Sequence, residues 1–149
     1  MAPPLVAIPL AAWEREGLAA ALKGAGLPTD DIAEPSRHFW RFSFADDIPA
    51  GFGGLEIHGP DALMRSITTL PPLRGRGFGR AIIKALEAEA AMFKCDSVFL
   101  LTTSAQTLFE KLGYTVVDRA SVPAAIRTTT QFAALCPDGA AVMRKRLVA

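Results

Sequence analysis

The stretch Leu70-Pro71-Pro72-Leu73-Arg74-Gly75-Arg76-Gly77-Phe78-Gly79-Arg80 leaves this chain few ways to fold. Ser66 and the β-branched residues Ile67, Thr68 and Thr69 run into it. Behind it Phe78, Ile82, Leu86, Ala90 and Phe93 recur at steps of four, four, four and three. That spacing lays one apolar face along a helix, so a strand enters a glycine-rich turn that opens straight into a helix. Gly75, Gly77 and Gly79 remove side chains where the backbone turns tightly or lets a ligand approach. The first N–H groups of such a helix have no internal partner, and the helix dipole adds partial positive charge there. An end of this kind takes anions, and Arg74, Arg76 and Arg80 bring formal charge to it. The expected ligand is a pyrophosphate. From Gly75 the spacing is Gly-x-Gly-x-Gly, which is neither the Gly-x-Gly-x-x-Gly of dinucleotide folds nor a P-loop ending in Gly-Lys-Ser/Thr.

The rest of the chain supplies a sheet around that unit. Residues 5–10, with Pro9 among them, read as an edge strand. Residues 11–22 read as a helix with Trp13, Gly17, Leu18, Ala21 and Leu22 on its buried face and Glu14, Arg15 and Glu16 outside. Gly24, Gly26 and Pro28 end it. Residues 39–44 and 51–58 alternate as two antiparallel strands, and Gly51, Gly53 and Gly54 mark a bulge or a close backbone approach in the second. After a turn at Gly59, Pro60 and Asp61, residues 62–70 form the strand that leads into the glycine turn. Further strands are expected at 98–102, 114–117 and 140–147. A helix capped by Ser121, with Pro123 in its first turn, is expected to carry Ile126, Phe132 and Leu135. One strand–helix–strand unit beside antiparallel hairpins implies a mixed α/β sheet. With 149 residues, half of them apolar, and no repeat or linker, the chain reads as a single domain over residues 1–149.

Charge and cysteine content narrow the partners. A net charge of +1 provides no general field for nucleic acid or an anionic membrane. No apolar run approaches the roughly 20 residues that cross a bilayer, and the first residues lack the basic start of a secretory leader. Cys95 and Cys136 have neither metal-ligand spacing nor a disulfide framework. They read as thiols of a cytoplasmic protein that needs no metal. Arg144-Lys145-Arg146 reads as a solvated edge.

Arg74-Gly75-Arg76-Gly77-Phe78-Gly79, preceded by Leu70-Pro71, matches the Gln/Arg-x-x-Gly-x-Gly/Ala signature of the GNAT acyltransferases. Leu108-Phe109-Glu110-Lys111-Leu112-Gly113-Tyr114 resembles that family's second motif, a short helix ending in Leu-Gly-aromatic. The resemblance covers most of the chain. It implies an acyl-CoA N-acyltransferase fold: a central, mostly antiparallel sheet splayed at the cofactor site, with helices on both faces. Pro28-Thr29-Asp30-Asp31, Gly53-Gly54-Leu55-Glu56, Leu101-Thr102-Thr103 and Val122-Pro123-Ala124-Ala125-Ile126 further resemble the arsenic-resistance N-acetyltransferase branch.

The resemblance implies acetyl-CoA as donor, its pyrophosphate lying on the backbone of residues 75–80. The implied cofactor set is Ile67, Thr68, Thr69, Arg74, Gly75, Arg76, Gly77, Phe78, Gly79, Arg80, Thr103 and Phe109. Ile67, Thr68 and Thr69 would pair through their backbone with the pantetheine arm, in a gap between their strand and residues 98–102. A backbone N–H near Thr69 would stabilise the thioester oxygen. For the amine's proton the candidate base is Glu56, and His58, two residues on and so on the same face, faces the substrate or serves in its place. Many relatives protonate the departing thiolate with a tyrosine where this chain has Phe109, and Thr102 replaces an asparagine. Thr103 or Ser104, or a water, is left to serve the sulfur. Arg127 is a candidate for holding a carboxylate or oxyanion of the acceptor, and Thr29, Asp30 and Asp31 either line the acceptor cleft or cap a turn. The acceptor is expected to be a small amine, an organoarsenical amino acid on the narrower resemblance. No cysteine triad is present to capture trivalent arsenic. Two rivals share these residues: an acetyltransferase for protein N-termini or lysines, and a non-catalytic acyl-CoA-binding module. Homodimerisation stays open.

Overall fold

The computed structural model describes residues 5–10, 14–24, 37–70, 72, 75, 77–103, 105–129, 132 and 140–147. In chain order the elements are β1 (Val6–Pro9), α1 (Arg15–Gly24), β2 (Arg37–Ser43), β3 (Pro49–His58), β4 (Asp61–Thr69), α2 (Phe78–Met92), β5 (Ser97–Thr102), α3 (Gln106–Lys111), β6 (Thr115–Val116), a 3-10 turn (Arg119–Ser121), α4 (Ala124–Arg127) and β7 (Ala141–Arg146). The strands form one sheet in the order β1-β2-β3-β4-β5-β7-β6. All pairings are antiparallel except β4 with β5, the two strands that flank α2. This is the expected mixed α/β architecture with a mostly antiparallel sheet.

Side-chain alternation splits the core across the sheet. On one face Trp40, Phe42, Leu55, Ala62, Met64, Val98, Leu100 and Met143 pack against Ile82, Ile83, Leu86 and Ala90 of α2 and Phe109 of α3. On the other face Phe39 packs with Leu18 and Leu22 of α1. Leu63, Phe99 and Val142 on that face meet Val122, Ile126 and Phe132. Helices thus cover both faces, but the second face carries two separate apolar clusters.

The glycines of β3 are the close approaches anticipated from sequence. A Cβ on Gly53 would lie 2.7 Å from Leu86 Cδ1, and one on Gly54 would lie 2.5 Å from Phe39 Cδ1. β3 also carries an extra residue beside Gly51, since Gly51 pairs with Phe42 but Pro49 with Ser43, and a second bulge lies in β4. Gly54 pairs with Arg65 but Phe52 pairs with Thr68, so two steps along β3 match three along β4. The extra residue is accommodated at Ser66, whose φ is +61°. It reverses the strand's phase: Leu63 and Arg65 lie on the face of α1, whereas Ile67 packs into the core beneath α2.

Several expectations need correction. Asp61 is the first residue of β4, because the hairpin turn needs only Gly59 and Pro60, and Gly59 supplies its positive φ of +63°. Gly17 is exposed, and Glu14 is not simply outside: its carboxylate lies 3.6 Å from Arg41 Nη1. The helix from Ser121 is only four residues long. Ser121 donates its hydroxyl to Asp118 O at 2.7 Å within the 3-10 turn, and α4 begins after Pro123. Arg144-Lys145-Arg146 belongs to β7, between β5 and β6, with Arg144 Nη2 3.3 Å from Ser97 Oγ. Long basic side chains lay their stems along the sheet there. Trp13, Gly26, Pro28, Thr29, Asp30, Asp31, Leu135 and Cys136 lie outside the described residues. Cys95 is a buried free thiol, and burial beside Asp61 and Asp96 pushes it up. Among the described residues no helix is long and apolar enough to cross a membrane, and no cluster of His, Cys, Asp and Glu is placed to hold a metal ion.

Candidate active site

Among the described residues the sheet opens at one place. β4 and β5 pair only through Asp61–Ser97, Ala62–Val98 and Leu63–Phe99. Beyond Leu63 both strands continue, β4 to Thr69 held by β3 and β5 to Thr102 held by β7. Their facing edges diverge into a wedge whose backbone groups lack each other as partners, a standing invitation to an extended ligand. At the far end of β4 the chain turns through Gly75 and Gly77, with φ of +81° and +85°. Glycine occupies both because side chains avoid that region, while the space beside each is open. Gly77 is the N-cap of α2 and brings no side chain to its first amides. Arg80 is exposed on the first turn, whereas Phe78 is buried edge-on against Phe44 at 5.2 Å and has only backbone to offer an anion. Arg74, Arg76 and Ser104 lie outside the described residues.

A polar seam crosses the sheet beside the apex of the wedge, between the two apolar clusters of the second face. Its centre is Glu56, which pairs with Leu63 in the ladder and has none of its side chain exposed. Arg65 Nη1 donates to Glu56 Oε2 at 3.0 Å, and Arg65 Nε donates to Ser66 Oγ at 3.0 Å. Arg37 Nη2 lies 3.4 Å from Oε1, and His58 Nε2 lies 3.2 Å from that same oxygen. Only Arg37 and His58 reach solvent, at 9% and 16% of their side chains. Toward β5 and β7 the seam continues through Asp61, Ser97 and Arg144. Burial holds the Asp61 carboxyl above its ordinary 3.8, opposed by Arg144, with Asp96 raising it further and His58 lowering it.

The sequence from residue 35 to residue 116, more than half of the chain, matches the family model described as the acetyltransferase (GNAT) domain. The chain belongs to the GNAT acetyltransferase family. Solved structures carry the same fold at low sequence identity. N-acetylglutamate synthase from Neisseria gonorrhoeae, complexed with coenzyme A and L-arginine, superposes with a TM-score of 0.77 at 13% identity over 99% of this chain. This chain spans about a third, 34%, of that synthase. A GNAT-family acetyltransferase from Staphylococcus aureus Mu50 gives 0.73 at 14% identity, covering 97% of this chain and 99% of its own. A chimera of Vibrio cholerae spermidine N-acetyltransferase SpeG with hSSAT gives 0.70 at 15%, over 95% and 93%. No curated protein matches the sequence significantly.

In this GNAT domain the aromatic residues of the second motif pack within the fold. The Phe109 ring is buried edge-on against Tyr114 at 5.4 Å. Tyr114 donates its hydroxyl to Glu87 Oε2 at 2.8 Å, and burial together with that bond pushes its phenol well above the usual range. Thr102 Oγ1 accepts from the Ala105 amide at 2.9 Å, so its hydroxyl is committed to the start of α3. Thr103 is exposed at the end of β5. Arg127 is exposed at the end of α4. Glu56 and His58 share a face, as their spacing required. Sequence reasoning missed Arg65 and Arg37, which enclose Glu56. The available signal was a lone arginine inside the apolar run Ala62-Leu63-Met64-Arg65, which demands a buried anion on a neighbouring strand.

Proposed function

We propose that this GNAT domain transfers the acetyl group of acetyl-CoA to the amine of a small molecule. The observation that carries this reading is the wedge: pairing of β4 with β5 stops at Leu63–Phe99 while both strands run on, and the wedge leads toward the uncapped start of α2. The pantetheine arm would lie along β4 at Ile67, Thr68 and Thr69 as an added strand, and the pyrophosphate would lie on the amides following Gly75 and Gly77. Arg80, with Arg74 and Arg76, would screen its charge. The thioester then reaches the apex, beside Leu63 and its ladder partner Glu56. The acceptor enters from the face of the polar seam, since the opposite face is closed by an uninterrupted core beneath α2. Holding amine and thioester together supplies much of the rate enhancement for this reaction.

The names of two structural neighbours, N-acetylglutamate synthase and spermidine N-acetyltransferase, support a small-molecule acceptor. Within that class the arsenic-resistance resemblance favours an amino acid analogue, an organoarsenical one among them, encountered in the cytoplasm. The test measures thiol release from acetyl-CoA against a panel of small amines, amino acids, arsenical amino acids and peptides. Release with a small amine is the expected result. Release with peptides alone would reassign the acceptor, and tight coenzyme A binding with no release for any amine would mark a non-catalytic module.

A further inference from the structure

We propose that His58 is the group that takes the acceptor's proton, and that Glu56 is its positioning residue rather than the base itself. The inference rests on the acetyl-transfer reading above. Glu56 is placed near the apex, but its carboxylate is fully engaged. Oε2 accepts from Arg65 at 3.0 Å, and Oε1 faces both Arg37 at 3.4 Å and His58 at 3.2 Å. None of the Glu56 side chain is exposed, so an amine reaches it only by breaking a buried ion pair. His58 is the part of this cluster that opens outward from the buried carboxylate, with 16% of its side chain exposed.

The imidazole is oriented by the same contact. Donation from Nε2 to Glu56 Oε1 fixes the tautomer and leaves Nδ1 as the acceptor. Among the described residues Nδ1 makes no hydrogen bond. The ladder puts Glu56 opposite Leu63, the last β4 residue paired to β5, and His58 opposite Asp61, two residues back from the apex on the same face. Glu56, His58 and Asp61 share this face with Leu63, which belongs to the apolar cluster beside the polar seam. The charged groups around the ring are Glu56 on its own strand and Asp61 on β4, with Arg37 of β2 and Arg65 of β4 behind Glu56. Arg144 of β7 and Asp96 before β5 lie behind Asp61.

The step balances without a further reagent. The amine nitrogen forms a bond to the thioester carbon, and its proton passes to Nδ1 directly or through one water. The carbon–sulfur bond breaks with its electron pair on sulfur. The thiolate then takes a proton from solvent as the imidazolium returns one.

His58→Gln and His58→Ala test this on the full chain, with coenzyme A binding and circular dichroism as controls for the fold. Both variants are expected to lower kcat about 100-fold, within the range for losing a general base, while binding coenzyme A like the wild type. The acidic limb of the kcat/KM profile should vanish, and added imidazole should restore activity to His58→Ala. Glu56→Gln in the His58→Gln background should lower the kcat of the folded fraction little further, since Glu56 acts through the ring. It removes the charge facing Arg65 and so weakens the fold. A His58→Gln enzyme with unchanged kcat would overturn the inference and leave acetyl transfer standing. So would a lowered kcat with the wild-type pH profile and no rescue, the mark of a merely structural role. Absence of thiol release from the wild type would overturn the transfer itself, and this inference with it.

Discussion

Glu56 holds a formal charge with none of its side chain in water, an arrangement that survives only because donors surround both oxygens. Taking such a charge out of solvent costs several kcal/mol, and removing one partner exposes that cost. Arg65→Met is therefore expected to destabilise the fold by about 3 kcal/mol in urea denaturation. A loss below about 1 kcal/mol, the range of surface pairs, would show the pair to be solvated. Asp61 gives a second test at this scale, in pH. Its carboxyl is held above 3.8 by burial, so the folded chain binds that proton more tightly than the unfolded one. The associated stability is present below the unfolded value and is lost as pH rises through the folded one. Asp61→Asn removes that loss: thermal unfolding should show it more stable than the wild type at neutral pH, with the advantage gone near pH 3. Equal stability at both would contradict the raised value. The sequence placed Glu56 and His58 on one face through their spacing of two. It could not place Arg65 or Arg37 against them, because partners across a ladder depend on register, and register depends on turns and bulges elsewhere.

The bulge in β4 shows that dependence at the scale of the element. Read as a plain alternating strand, residues 61–69 would put Ile67 and Thr69 on the face of Leu63 and Arg65. Ser66, at φ +61°, inserts one step, which puts Ile67 under α2 and gives Arg65 Nε a hydroxyl to donate to. Serine tolerates that backbone poorly and a β-branched residue worse. Ser66→Val, which also removes the hydroxyl, is expected to cost about 2 kcal/mol, from strain of about 1–3 kcal/mol at such a position. It should lower activity as well, since β4 borders the wedge. Equal stability by chemical denaturation would mean that β4 can realign. The strand–turn–helix unit was legible because three signals agree there: β-branching, glycine at positive φ and a four-residue apolar period. The glycines of β3 were legible as close approaches, since crowding by Leu86 and Phe39 leaves room for no Cβ. The region after Ser121 was not legible. A potential cap before an apolar pattern promised a helix, but Ser121 spends its hydroxyl on Asp118 O, and α4 stops at Arg127. Four residues make too short a helix to be held by propensity.

At the scale of the whole molecule, the described strands form one sheet whose parallel pair, β4 and β5, parts beyond Leu63 and Phe99. One core runs beneath α2 and α3 and stitches the two halves on that face. Glu87 of α2 accepts from Tyr114 and lies 3.1 Å from Lys145 Nζ of β7, tying the helix to the far half. On the other face one apolar cluster joins Leu63 of β4 to Phe99 and Val142 of the far half at the apex, and the polar seam separates it from the cluster under α1. β4 and β5 run on unpaired with each other beyond that apex, and a ligand that pairs with their facing edges should stabilise the domain. Coenzyme A at about a hundred times its Kd would add about 2.7 kcal/mol, raising the Tm by roughly 8 °C for a chain of this length. Hydrogen exchange locates the effect. Amides of residues 77–80, and those among 64–69 and 100–102 that point away from the β3 and β7 ladders, should slow on binding, because they begin α2 or face the wedge. Those in the β1–β2 ladder should slow only with global stability. If the Tm rose with protection confined to the outer strands, the coenzyme would be bound away from the wedge and the divergence of β4 from β5 would need another explanation. Protection centred on the wedge would show that coenzyme A binds between the diverging edges of β4 and β5.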